Sequence, residues 1–215
     1  MTVMPRAHRP GSTELLRMVH GAGIRDERVL EAVARVPRVE FVPPEAAAGA
    51  YFDEPIPIGH GQVTTQPSLV ARMVEALSLR GGEHVLEIGT GLGWQTALLA
   101  TLAKRVWSVE RFPDLAEAAR RNLAGRAIVN AEIVVGDGGH GLAEHAPYDA
   151  IVVSAASPEV PSPLTEQLAD RGRLVHPLGT GGDEQVTLFE KRSGEVRARR
   201  TLTGARFVKL VRPGG

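Results

Sequence analysis

The sequence predicts an α/β fold, a doubly wound and mostly parallel sheet with helices on both faces and an antiparallel strand near the C-terminus. Three observations lead there. Short apolar runs alternate with helically spaced segments from about residue 84 to residue 178, the pattern of parallel strands joined by crossover helices. The first of those runs, Val85-Leu86-Glu87-Ile88, breaks straight into a helix through glycines at alternate positions, Gly89, Gly91 and Gly93. The last two extended stretches, 185–191 and 195–211, follow each other with no helix between them, as a hairpin does.

Taken in order, residues 1–10 are polar and proline-containing and read as a loose terminus. Ser12 is placed to cap a first helix with Leu15, Leu16 and Val19 in one stripe. Asp26 caps a second, which carries Val29, Leu30, Val33 and Val36 and is stopped by Pro37. Residues 41–67 are proline-rich and without periodicity, and irregular stretches of that length are usually functional. A helix over 68–79, with Leu69, Val70, Met73, Val74 and Leu77 on its apolar side, leads through Gly81-Gly82 into the strand at 84–88. That run is too short and too apolar for a surface helix. Helical spacing takes over from Gln95 to Ala103, and 105–110 is the next strand. Pro113 suits the first turn of a helix to about residue 123. A strand at 131–135, a strand at 149–155, a helix at 163–169 and a strand at 173–178 complete the alternation.

The glycine turn is the candidate ligand site. Glycines there let the backbone take positive φ and approach a ligand, and the following helix start offers unpaired N–H groups. A dinucleotide fingerprint would read G-x-G-x-x-G, whereas this chain has E-x-G-x-G-x-G with Glu87 two residues before the first glycine. A carboxylate at that point repels a phosphate and suits a cation, so the ligand should be positively charged near the turn. S-adenosylmethionine is, with its sulfonium and α-ammonium. Glu110, at the end of the second strand, is then in register to accept from the ribose hydroxyls.

Composition narrows the rest. Lys+Arg and Asp+Glu are equal at 25 each in 215 residues, so no electrostatic footprint for nucleic acid or an anionic membrane is expected. Cysteine is absent, which excludes disulfides, thiolate metal sites and a thiolate nucleophile. None of the seven histidines stands in metal-ligand spacing, and no metal is expected. His60 is compatible with a substrate contact or with a plain loop histidine. No signal-peptide apolar core and no membrane-length apolar run is present. The expectation is a single soluble, cytoplasmic domain over 1–215.

Several segments together resemble one family. Ile58-Gly-His-Gly-Gln62, Thr65-Gln-Pro67, Val85-Leu-Glu-Ile-Gly-Thr-Gly91, Ser108-Val-Glu110, Gly136-Asp-Gly138, Tyr148-Asp-Ala-Ile-Val-Val153, Gly172-Arg-Leu-Val175 and Arg206-Phe-Val208 are similar to the protein-L-isoaspartate O-methyltransferases, over about residues 15–211. The glycine turn alone would name only the class I S-adenosylmethionine methyltransferases. The proline-rich stretch and the late Arg-Phe-Val narrow it to this family. The resemblance implies a Rossmann-like fold with a seven-stranded sheet. It also implies methyl transfer from S-adenosylmethionine, which leaves S-adenosylhomocysteine, to the free α-carboxylate of L-isoaspartyl residues in damaged proteins and peptides. The ester then closes to a succinimide whose hydrolysis returns some aspartate. It implies a monomer divided into N-terminal helices with a substrate loop (1–80), a cofactor-binding core (81–180) and C-terminal strands lining the peptide groove (181–215).

Carried over residue by residue, the resemblance makes Glu87, Gly89, Thr90, Gly91 and Gly93 the cofactor turn. Glu110 with Arg111 becomes the ribose side, and Asp137 with Gly138 the adenine edge. Ile58, His60, Val63, Thr64, Thr65, Gln66, Phe207 and Val208 become the substrate side, with Thr65 the active-site hydroxyl. Some positions depart from the family: Thr65 stands for its serine, Val63 for a frequent threonine, Trp94 for a smaller residue and Gly139-His140 for an aromatic. These departures bear on the acceptor. They leave room for a dedicated peptide aspartate methyltransferase, a small-molecule methyltransferase or a non-catalytic binder of the cofactor. An acceptor carboxylate with a pKa near ~4 is ionised at neutral pH, so no general base is expected.

Overall fold

The computed structural model describes residues 10–210, with side chains from residue 13 onward. Two helices open it, α1 (Pro10–Gly21) and α2 (Glu27–Arg35). Asp26 caps α2 as expected, accepting from Arg28 N–H at 2.9 Å. Ser12 is not a cap, because α1 starts at Pro10 and Ser12 lies inside it. The loose terminus expected for 1–10 and the end of the last extended stretch at 211 lie outside the described residues, save Pro10.

Residues 41–67 are more ordered than their composition suggested. Two 3-10 turns, Arg38–Phe41 and Pro44–Tyr51, precede an antiparallel hairpin of β1 (Ile56–Gly59) and β2 (Gln62–Thr64). Proline content hid them, since Pro44 serves as a turn starter and Pro57 sits on a two-stranded ribbon where no further partner strand is required. Helix α3 (Pro67–Leu77) starts one residue earlier than the spacing implied and stops two earlier. Proline needs no N–H at the first helical position, and Ser78 turns the chain at φ +51°.

The sheet then forms as β3 (His84–Ile88), β4 (Arg105–Glu110), β5 (Ala131–Val135), β6 (Tyr148–Val153), β7 (Leu168–Leu178), β8 (Glu184–Arg192) and β9 (Glu195–Ala205). Its strand order is β5-β4-β3-β6-β7-β8-β9. The first five in that order are parallel, and β8 and β9 pair antiparallel. The C-terminal change of direction therefore involves a hairpin, as the missing helix implied. Helix α4 (Trp94–Leu102) follows β3, α5 (Pro113–Gly125) follows β4, and α6 (Ser162–Gln167) is only six residues because 168 already pairs with Tyr148 as strand.

Helices cover the two faces unequally. Residues of α1 to α5 share one apolar cluster with Val85, Val106, Val152 and Val175 on one face of the sheet. The other face, Leu86, Ile88, Trp107, Ile151 and Leu174, packs with Tyr148, Leu164 and Leu168. Within the described residues, no helix is long and apolar enough to cross a membrane. The chain runs outward from β3 in one direction through β4 and β5 and in the other through β6, so a crevice opens beyond the carboxyl ends of β3 and β6, where such sheets hold ligands.

Candidate active site

The crevice is floored by the glycine turn after β3. Gly89 and Gly91 take φ of +92° and +56°. A Cβ would lie 3.3 Å from Ser154 Cβ at the first and 3.2 Å from Ile58 Cδ1 at the second, so the turn also lacks room for side chains. Gly93 does a different job: its added Cβ would meet Ala119 at 3.3 Å, and the glycine lets α4 pack on α5. At the tip of β4 the buried carboxylate of Glu110 accepts from Gly91 N–H at 2.8 Å and Phe112 N–H at 3.0 Å. Two amides thus fix its oxygens beside the turn while lone pairs remain for a diol.

Glu87 is not where a charge-selecting group would have to be. It is fully buried under the turn. Gln95 Nε2 donates to it at 3.0 Å, Ser108 Oγ at 2.6 Å, and Thr96 Oγ1 completes the set. Burial pushes its carboxyl up to about 7 against the pull of those three donors. Ser108 donates to Glu87, so Thr90 must be the donor in the Thr90–Ser108 pair, and the Thr90 hydroxyl faces the core. Glu87 and the Thr90 side chain therefore brace the turn from beneath. The sequence gives their identity, but which side of the strand they face is set by packing against α4.

Over the turn lies the hairpin. A cavity of about 70 Å³ between them is lined by Ile58, Val63, Thr64, Thr65, Trp94 and Val208 as well as the turn itself. A second, of about 80 Å³, runs along Glu110, Arg111, Asp137, Gly138 and Leu210. Gln62, Gly89, Ser154 and Val208 border both, so the two are halves of one cleft. At Gly138 an added Cβ would fall 2.1 Å from Ile88 Cγ2, so a side chain there would collide with the cleft floor. Asp137 Oδ1 accepts from Gly139 N–H at 2.9 Å, while Oδ2 is buried without a hydrogen bond, His140 Nδ1 standing 3.8 Å away.

Thr65 lines the first cavity, and its hydroxyl makes no hydrogen bond among the described residues. It does not cap α3: the Ser68 N–H is taken by Asp53 Oδ1 at 2.7 Å. Its neighbours differ. The Thr64 hydroxyl accepts from Arg38 at 3.1 Å, and Gln66 precedes α3 without bordering either cavity. His60 points away from the cleft. Its ring stacks on Phe112 at 4.3 Å and Nε2 meets Asp114 Oδ2 at 2.8 Å, which clasps the hairpin tip to the start of α5. The stack and the acid supply its partners, and His60 borders neither half of the cleft. Phe207 packs against the core and borders neither cavity, whereas Val208 borders both.

The sequence reading missed Arg38. It is fully buried, with Nη1 donating to Phe52 C=O at 3.1 Å and Nη2 to Glu54 C=O at 2.9 Å, Thr64 Oγ1 at 3.1 Å and Thr65 C=O at 3.2 Å. Its guanidinium lies 5.7 Å from the Trp94 ring centroid. Burial lowers it to about 10, with nearby Asp53 opposing, so it stays charged at neutral pH. One cation thus ties four acceptors of the loop that carries Thr65. Only an arginine following Pro37 announces it in the sequence, and nothing there signals burial.

The family model for protein-L-isoaspartate(D-aspartate) O-methyltransferase matches residues 11–214. A protein-L-isoaspartate O-methyltransferase of Methanoculleus marisnigri is 51% identical over 193 residues, 90% of this chain and 87% of that one. A solved protein-L-isoaspartate O-methyltransferase superposes with TM-score 0.81 and 29% identity over 92% of this chain, which spans 65% of that longer protein. A Plasmodium falciparum structure solved in complex with S-adenosyl-L-homocysteine shares the fold, with TM-score 0.80 and 22% identity over 94% of this chain and 99% of that one.

Proposed function

The chain belongs to the protein-L-isoaspartate(D-aspartate) O-methyltransferase family, and on that premise we propose that it methylates the free α-carboxylate of L-isoaspartyl residues in proteins and peptides, with S-adenosylmethionine as donor. The observation that carries this reading is a single cleft in which the glycine turn, the Glu110 carboxylate and the Thr65 hydroxyl lie under one hairpin. The residues fit the donor. Asp137 Oδ2, buried and without a hydrogen bond, suits an exocyclic adenine amine, Glu110 suits a ribose diol, and Gly89 keeps the turn open for the amino-acid end. Bound S-adenosylmethionine supplies an electrophilic methyl group on a sulfonium.

The chain's own share of catalysis is positioning. An acceptor carboxylate is ionised at neutral pH, so no residue need remove a proton from it. Thr65 donates to one carboxylate oxygen and leaves the other free to attack. Arg38 holds the Thr64 hydroxyl and the Thr65 carbonyl in place, and Val208, which borders both halves of the cleft, stands where an extended peptide would lie. Orientation of this kind can supply on the order of 7–11 kcal/mol, and the hairpin clasped by His60 excludes water from the polar groups that provide it. Residues 1–80 then contribute the loop, 81–180 the donor site and 181–215 the peptide edge of a monomer acting in the cytoplasm. The test is acceptor choice: radiolabelled donor should place a base-labile methyl on an isoaspartyl peptide and none on its aspartyl twin. Label on the twin alone would make the chain a dedicated aspartate methyltransferase.

A further inference from the structure

We propose that Glu184 is a positioning residue for the peptide groove, its carboxylate fixing the 206–210 segment that walls the cleft. The inference rests on the reading that Val208 borders the acceptor. Strand β9 ends at Ala205, opposite Glu184 in register. The next amide that could continue the ladder, Phe207 N–H, goes to Glu184 Oε2 at 3.0 Å, while Oε1 accepts Gly182 N–H at 2.9 Å. The side chain therefore takes the place of a strand partner and directs the chain out of the sheet. Just beyond Phe207 the segment is held by the loop after β6: Ala156 N–H donates to Val208 C=O at 2.8 Å, and Leu210 N–H to Ala156 C=O at 2.7 Å.

Alternation along an extended chain makes the two anchors complementary. Val208 and Leu210 turn their backbone groups toward Ala156, and Phe207 turns its amide to Glu184. Val208 is caught between the anchors and borders both halves of the cleft. Glu184 is fully buried by its surroundings. Burial raises its carboxyl, but the amides of Phe207, Gly182, Glu184 and Gly181 outweigh this and hold it below the usual carboxylate range. Arg206 Nε adds a tie to Gly182 C=O at 3.1 Å, and Gly179, whose added Cβ would lie 2.9 Å from Glu184 Cγ, lets the loop close over the carboxylate. Neither Phe207 nor Glu184 lines the cleft, so the effect of Glu184 reaches the acceptor only through Val208 and the rest of the wall.

Glu184→Ala, Glu184→Gln and Arg206→Ala are compared with the parent for isoaspartyl-peptide kinetics, S-adenosylmethionine affinity by calorimetry, melting temperature and amide hydrogen exchange. Losing hydrogen bonds to a charged acceptor should raise the peptide KM about tenfold in Glu184→Ala, with a smaller rise in Glu184→Gln, which keeps one acceptor oxygen. Val208 and Leu210 also border the donor half, so donor affinity should fall too, but several-fold less than peptide affinity, and the Leu210 and Ala156 amides should exchange faster. An unchanged peptide KM in folded Glu184→Ala overturns the proposal. So does an equal loss of peptide and donor affinity, which marks a purely structural role. If Glu184→Ala does not fold, Glu184→Gln and Arg206→Ala carry the same comparison. A parent that methylates no isoaspartyl peptide refutes the proposed function instead, and exchange at Leu210 and Ala156 then decides alone whether Glu184 holds the segment.

Discussion

The proposed function turns on Thr65, which lines the cleft. Its hydroxyl has no hydrogen-bond partner among the described residues, and the Ser68 amide at the start of α3 is already served by Asp53, so Thr65 does not cap that helix. Thr65→Ser should keep most activity. Thr65→Val, nearly isosteric but without the donor, should lose about 1–3 kcal/mol of transition-state stabilisation at unchanged melting temperature. A Thr65→Val enzyme as fast as the parent would move the positioning to backbone amides. Glu110→Ala should weaken S-adenosylmethionine binding, since each lost bond to a carboxylate is worth roughly 1.5–3 kcal/mol; calorimetry reads this directly, and unchanged affinity would remove Glu110 from the donor site. The contrast between Glu110 and Glu87 shows what spacing can and cannot tell. Both carboxylates are visible as strand-end acids, and both stand at the strand positions expected of them. Only one faces the cleft, because period-two alternation fixes which residues share a face but not which face the ligand takes.

At the scale of elements, the loop and hairpin depend on Arg38. Arg38→Met keeps much of the apolar stem against Trp94 but strands four acceptors at Phe52, Glu54, Thr64 and Thr65. It should lower kcat/KM for the acceptor at least tenfold, by the worth of a charged hydrogen bond, and leave donor affinity nearly intact because the turn and Glu110 do not touch it. Arg38→Lys, a single point donor, should restore only part. Equal losses for donor and acceptor would mean that Arg38 merely supports the fold. The parallel core was legible because its strands are unbroken apolar runs separated by helical spacing. The hairpin was not: β2 is three residues long and the tip between Gly59 and Gly61 looks like loop until its partner strand is known. The end of β9 was equally hidden, because the bond that stops it comes from a side chain 23 residues away.

For the molecule as a whole, two buried titrating groups set opposing pH trends. The Glu87 carboxyl sits at about 7 against an ordinary 4.5, so between those values the folded chain holds more protons than the unfolded one and stability falls as pH rises. His176, hydrogen-bonded to Ser157 and lowered by burial from 6.5 to about 4, binds its proton more readily unfolded, so its contribution is lost as pH falls through that window. Glu87→Gln should abolish only the first trend, changing the slope of stability against pH between 4.5 and 7 by a total on the order of 3 kcal/mol. Denaturant titrations with parallel pH profiles for parent and variant would show that Glu87 is not protonated in the folded chain. Neither effect is visible in composition, since net charge is zero and burial of single groups leaves no trace in a sequence. The family segments, by contrast, run nearly the whole length of the chain and made the chemistry legible before any geometry. The central claim is that the cleft turns an isoaspartyl carboxylate into an ester that can repair itself. Mass spectrometry of one isoaspartyl peptide, incubated with the chain and S-adenosylmethionine at neutral pH, tests it most directly. The ester and then the succinimide should appear, followed by a growing share of the aspartyl peptide over repeated turnover, whereas an isoaspartyl peptide left unchanged while its aspartyl twin gains the methyl group would contradict it.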